Sequence, residues 1–132
     1  MTPRPPSPRE RIKSLGAPMP IGPYSSAMLV GGTLYCSGQI ALDPQTAEMI
    51  EGDVQDETAR ILDNLGAVLN AAEMDFDHVV QVTLFLRDMD DYAPVNEVYT
   101  RYFSGALPAR EALEVGKLPR GARVEISCIA VR

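Results

Sequence analysis

Apolar residues recur at helical spacing in one stretch above all: Val54, Ile61, Leu62, Leu65, Val68, Leu69 and Ala72 fall on a single helix face. Asp53 is placed to cap that helix, and Asp56 and Glu57 suit the positive end of its dipole. Arg60 stands four residues after Asp56, a spacing that supports an ion pair along the helix surface. Val79 to Leu86 is rich in β-branched residues and apolar at both parities, which predicts a strand covered on both faces. Asp88-Met89-Asp90-Asp91 then turns the chain into a second helix. Its inner stripe is Tyr92, Val95, Tyr99, Tyr102 and Phe103, with Pro94 in the first turn and Gly105 and Pro108 ending it.

The flanks read as strands. Met28-Leu29-Val30 and Leu34-Tyr35-Cys36-Ser37 flank Gly31-Gly32, a dipeptide suited to a tight hairpin turn. A weak strand signal lies at Arg11 to Leu15, and another near Met49-Ile50 after the loop opened by Asp43-Pro44. Two strands close the chain, Arg110–Val115 and Arg123–Val131, giving the order β-β-α-β-α-β-β. Pro3, Pro5, Pro6 and Pro8 oppose helix and central strand, so residues 1–10 are expected to form a disordered tail ahead of one domain over 11–132.

Alternation assigns faces. Arg110, Ala112 and Glu114 share one side of their strand, and Leu113 and Val115 the other. In the last strand Val124, Ile126, Cys128 and Ala130 form the apolar side, opposite Glu125, Ser127 and Ile129. Two helices cover one face of a sheet. Arg110 and Glu125 are therefore both expected on the other face, joined by Tyr35, Ser37 and Gln39. A second copy of the chain is the simplest cover for that face.

Composition narrows the chemistry. The 132 residues include one His, two Cys and no Trp, too few for histidine triads, a disulfide scaffold or a four-cysteine zinc site. No apolar run approaches the roughly 18 residues of a membrane span, which points to a soluble, cytoplasmic protein without a membrane partner. Net charge is −6, against a nucleic-acid partner, but its distribution is uneven. Residues 43–97 carry −12, whereas the segments before and after carry +3 each. An acidic middle beside an arginine-bearing end can still build a local anion site.

Among the candidates, Arg110 with Glu125 stands out. An arginine fork can hold a substrate carboxylate bidentately, and a nearby carboxylate can exchange a proton with water. From spacing alone, a salt bridge between neighbouring strands is the favoured reading of the same two residues. Arg120 and Arg123 read as surface charges, Cys36 and Cys128 as small buried residues, and His78 as a surface or capping residue.

Five motifs in order resemble the reactive intermediate deaminase (RidA/YjgF) family. They are Ile21-Gly22-Pro23-Tyr24-Ser25, Ser37-Gly38-Gln39-Ile40, Val95-Asn96 before Tyr99, Pro108-Ala109-Arg110, and Leu118 to Ile126. The match runs from about Gly16 to Val131. It implies an α+β, chorismate-mutase-like fold with two helices on one face of a mixed sheet, assembled as a homotrimer with ligand sites between subunits. It also implies cofactor-free and metal-free hydrolysis of 2-imino acids, such as 2-iminopropanoate and 2-iminobutanoate, to 2-keto acids and ammonia. Arg110 matches the carboxylate-binding arginine and Glu125 the water-activating glutamate. Tyr24, Ser37, Gly38 and Asn96 match residues lining the cleft, and Ala112 a position that binds ligand through its backbone. Glu111 replaces a small hydroxyl residue, with its side chain expected opposite Arg110. Glu73 stands where a helix-terminating glycine is common. A ligand-binding, regulatory trimer and an RNA-directed activity are the competing readings.

Overall fold

A computed structural model describes residues 1–132. In chain order the elements are β1 (Glu10–Ile12), β2 (Ala27–Val30), β3 (Thr33–Gln39), α1 (Val54–Ala71), β4 (Val79–Leu86), α2 (Tyr92–Tyr99), β5 (Ala109–Glu114) and β6 (Val124–Val131). The strands form one sheet ordered β1-β2-β3-β6-β4-β5. Every neighbouring pair is antiparallel except β4 and β5, which run parallel. Parallel neighbours need a crossover, and the connection carrying α2 provides it.

Relative to the order read from the sequence, one strand is added: Glu10–Ile12 pairs with β2 as a real edge strand. Near Met49 only a single bridge to Leu42 forms. The second helix stops at Tyr99, well before Gly105, and Tyr102 and Phe103 pack from the following turn rather than from the helix.

α1 forms where the pattern placed it. All seven residues of its apolar stripe are buried against the sheet, each worth roughly 2 kcal/mol for a Leu or Ile. Asp53 and Asp56 close a reciprocal capping box: Asp56 N donates to Asp53 Oδ1 at 2.9 Å and Asp53 N to Asp56 Oδ2 at 3.0 Å. Asp56 is therefore engaged at the cap, and Arg60 turns instead to Asn64, its Nε donating to Oδ1 at 3.1 Å. Both helices lie on one face of the sheet. Leu34, Cys36, Val82, Leu84, Leu86, Val124, Ile126, Cys128 and Ala130 point into the core beneath them.

The opposite face is open. Tyr35 and Leu113 are exposed there, and Gln81, Thr83, Phe85, Ser127 and Ile129 are half-buried. The chain itself thus supplies no second cover for β4. Val80, expected inside a regular strand, sits at a bulge between Val79 and Gln81 and is 47% exposed.

Candidate functional site

The register of the sheet decides where Arg110 points. β5 pairs with β4 as Val82↔Arg110, Leu84↔Ala112 and Leu86↔Glu114. Directly paired residues share a face, and Val82, Leu84 and Leu86 all face the helices. Arg110 and Ala112 therefore lie on the helix side, contrary to the expectation from alternation. The two parities were grouped correctly, but apolar Leu113 belongs to the open face and is 39% exposed. Only β4 borders this edge strand, and the side chain of Arg110 fills the space beneath α2.

There the guanidinium is framed by one face of α2, at positions 92, 96 and 99. Arg110 Nη2 donates to Tyr92 Oη at 2.7 Å. Its Cζ lies 4.7 Å from the Tyr99 ring centroid and 5.4 Å from that of Tyr92, within cation–π range. The neighbouring cation holds the Tyr92 hydroxyl below its ordinary pKa of 10, with Asn96 adding to the effect, whereas burial raises that of Tyr99. Asn96 Oδ1 and Tyr99 Oη are buried without partners. The ion pairs of the chain are Asp75–His78 and Glu57–Arg123, so no carboxylate neutralises Arg110. Glu111 is paired with Thr83 on the open face, as alternation required, and leaves the guanidinium free.

Glu125 lies elsewhere. It pairs with Phe85 on the open face, half-buried, and burial pushes its carboxyl above the ordinary 4.5. A bulge between Cys36 and Gln39 sets Ser37 and Gly38 against Ser127 of β6. The extra residue returns Gln39 to the buried face, although alternation placed it with Tyr35 and Ser37. Gly38 instead meets the glutamate: a Cβ there would come within 2.5 Å of Glu125 Oε2. Ser37 Oγ donates to Ser25 O at 2.6 Å and Ser37 N to Ser26 O at 2.9 Å, tying down the segment that presents Tyr24. Tyr24 is exposed, its Oη accepting from Ile21 N at 3.3 Å, and borders a small cavity with Ile21, Ser26 and Gly38.

Two half-sites result. Arg110, Asn96 and Ala112 belong to the β5–α2 edge; Glu125, Gly38, Ser37 and Tyr24 belong to the open face and its neighbouring loop. Arg110 and Glu125 point to opposite sides, two strands and three rows apart, which puts their Cα atoms on the order of 14 Å from each other. The salt-bridge reading of this pair is thereby overturned. Tyr92 and Tyr99 looked like core stripe residues in the sequence; their spacing with Asn96 was the available signal for a shared face toward Arg110. Buried Glu57 pairs with Arg123, 66 residues away, and no spacing in the sequence signals it. Glu57 Oε1 accepts from Arg123 N at 3.1 Å, and Arg123 Nη1 sits 3.4 Å from Oε2, so Arg123 is a structural residue rather than a loose surface charge.

The fold and half-sites define a small α+β protein with an unneutralised arginine at a sheet edge and a desolvated glutamate on an uncovered sheet face. Residues 14–132 match the family model described as Endoribonuclease L-PSP. Protein DfrA of Myxococcus xanthus is 54% identical over 93% of this chain and 95% of its own length. The 2-iminobutanoate/2-iminopropanoate deaminase of mouse is 50% identical, covering 94% of this chain and 92% of its own. The crystal structure of YyfA from Yersinia pestis, a Rid-family protein, superposes with a TM-score of 0.92 at 40% identity, over 95% of this chain and all of that one. The chain belongs to the RidA/YjgF family.

Proposed function

We propose that the chain is a cytoplasmic deaminase that hydrolyses 2-imino acids and their enamine tautomers, 2-aminoacrylate/2-iminopropanoate and 2-iminobutanoate, to 2-keto acids and ammonia. The observation that carries this reading is Arg110, a half-buried guanidinium with no carboxylate partner, in a chain half identical to a relative bearing that deaminase name. A 2-imino acid brings the missing carboxylate.

Because Arg110 and Glu125 face opposite ways, one small substrate reaches both only if they come from different copies. The proposed assembly is a homotrimer: the β5–α2 edge of one subunit meets the open face of the next, covering Phe85, Leu113 and Ile129. Arg110 then grips the carboxylate, with the backbone at Ala112, on the unpaired edge of the sheet, beside it. Tyr24, Ser37 and Gly38 of the neighbour line the other wall.

The chemistry needs a water, a base and a fixed electrophile. Glu125, whose raised pKa favours accepting a proton, deprotonates the water as its oxygen bonds to C2 of the protonated imine. Glu125 passes that proton to nitrogen, the C–N bond of the tetrahedral adduct breaks with its electron pair leaving on ammonia, and Glu125 takes up the hydroxyl proton as the 2-keto acid forms. No cofactor or metal enters this scheme. The −6 charge of the chain opposes RNA as the partner.

The test is a coupled assay with an enamine-generating dehydratase. Added wild-type protein should speed 2-keto acid release, and Arg110→Ala and Glu125→Ala should each abolish the gain. Equal rates for wild type, both variants and buffer overturn the enzyme reading. Arg110-dependent 2-keto acid binding without any gain in rate assigns a ligand-sensing trimer instead.

A further inference from the structure

We propose that the Tyr92 hydroxyl is a second donor to the carboxylate held by Arg110, making it a substrate-binding residue of this chain. The inference rests on the reading of Arg110 as the anion grip and deepens it. Tyr92 opens α2 directly after a short 3-10 turn, Met89–Asp91, whose start Asp88 caps by accepting from Asp90 N at 2.9 Å. Its position is therefore set by backbone. Arg110 Nη2 donates to Tyr92 Oη at 2.7 Å, so a lone pair of the oxygen is used while its hydrogen has no acceptor in the chain. Tyr92 and Arg110 are both half-exposed, and a hydroxyl beside the guanidinium presents that hydrogen where an anion would sit. The adjacent cation also makes the phenol more acidic and a better donor.

The Tyr99 ring beneath the guanidinium leaves Arg110 well seated without the Tyr92 oxygen. Tyr92→Phe therefore removes one donor and retains the ring contact. Loss of one hydrogen bond to a charged group changes affinity roughly tenfold or more.

The experiment titrates pyruvate into the intact protein by calorimetry, with wild type, Tyr92→Phe and Arg110→Lys compared, and repeats the dehydratase-coupled assay. Tyr92→Phe is expected to weaken pyruvate binding about tenfold and raise KM by a similar factor, with kcat within about twofold of wild type. Infrared difference spectra of saturating carboxylate-labelled pyruvate separate direct contact from mere orientation of Arg110. The carboxylate stretch of the bound ligand should differ between wild type and Tyr92→Phe. Unchanged affinity and stretch in Tyr92→Phe, with binding lost in Arg110→Lys, overturn the role of Tyr92 alone. Absence of pyruvate binding in every form, or binding indifferent to Arg110, overturns the anion-grip reading along with it.

Discussion

Glu125 shows how a proposed catalytic role and stability oppose each other at one side chain. Burial raises its pKa in the folded chain above the unfolded value, so its contribution is fully present below the unfolded pKa and is lost as pH rises through the folded one. At neutral pH the ionised carboxylate costs stability. Glu125→Gln should raise the denaturation midpoint at pH 7, with the gain shrinking toward pH 4, while deaminase turnover falls at least about 100-fold. For the wild type, kcat should increase with pH through a group titrating above 4.5, and a pH–rate profile checks this. Glu73 is the converse case, a cost with no function attached. It occupies the left-handed position that ends α1, at φ 59°, with Glu73 N bonded to Asn70 O and Met74 N to Leu69 O. Glycine adopts that conformation freely, so Glu73→Gly should stabilise the protein by about 0.5–1 kcal/mol in urea unfolding, with activity unchanged.

At the scale of elements, the bulge of β3 bears most directly on the proposed reaction. It converts a regular strand into one that offers Gly38 to Glu125, so close that a Cβ there would force the glutamate side chain to shift. Gly38→Ala should leave circular dichroism native-like but displace the carboxylate and lower kcat by about 100-fold or more, since proton transfer depends on placement. Periodicity made α1, the Gly31-Gly32 hairpin and the run from Val79 to Leu86 legible, because burial of one face is a local property of the sequence. Bulges are not local in this sense. They arise from mismatched lengths between partners; Val80 carries no mark that distinguishes it from ordinary strand residues, whereas Gly38, a lone glycine inside a strand, was the one local sign of the bulge in β3. The face assignment of Arg110 failed for a related reason: parity along β5 was correct, but its sign depends on the register with β4, a partner reached through a crossover. The roles of Arg110 and Glu125 were suggested by residue type and by motif resemblance, and their separation onto two faces became visible only with the sheet assembled.

The whole molecule presents an uncovered edge and an uncovered face, which complete each other in the proposed trimer. The −12 of residues 43–97 is drawn from loops and helices, while Arg110, the proposed carboxylate grip, lies in the +3 C-terminal segment. Tyr35, Phe85, Leu113 and Ile129 leave the open sheet face more apolar than a solvated surface usually is. Sedimentation equilibrium should return three times the chain mass of 14.4 kDa, and Leu113→Glu should shift it toward monomer. No helix of the chain is long and apolar enough to cross a membrane.

The opposed directions of Arg110 and Glu125 have a genetic consequence. If every cleft draws its arginine from one copy and its glutamate from the next, two defective alleles can rescue each other. Arg110→Ala and Glu125→Ala chains, each inert alone, would form intact clefts at about one position in four when co-refolded in equal amounts. A single chain carrying both changes should rescue neither. Recovery of roughly a quarter of wild-type turnover from two dead proteins would reveal which residues meet across the boundary before any complex is crystallised.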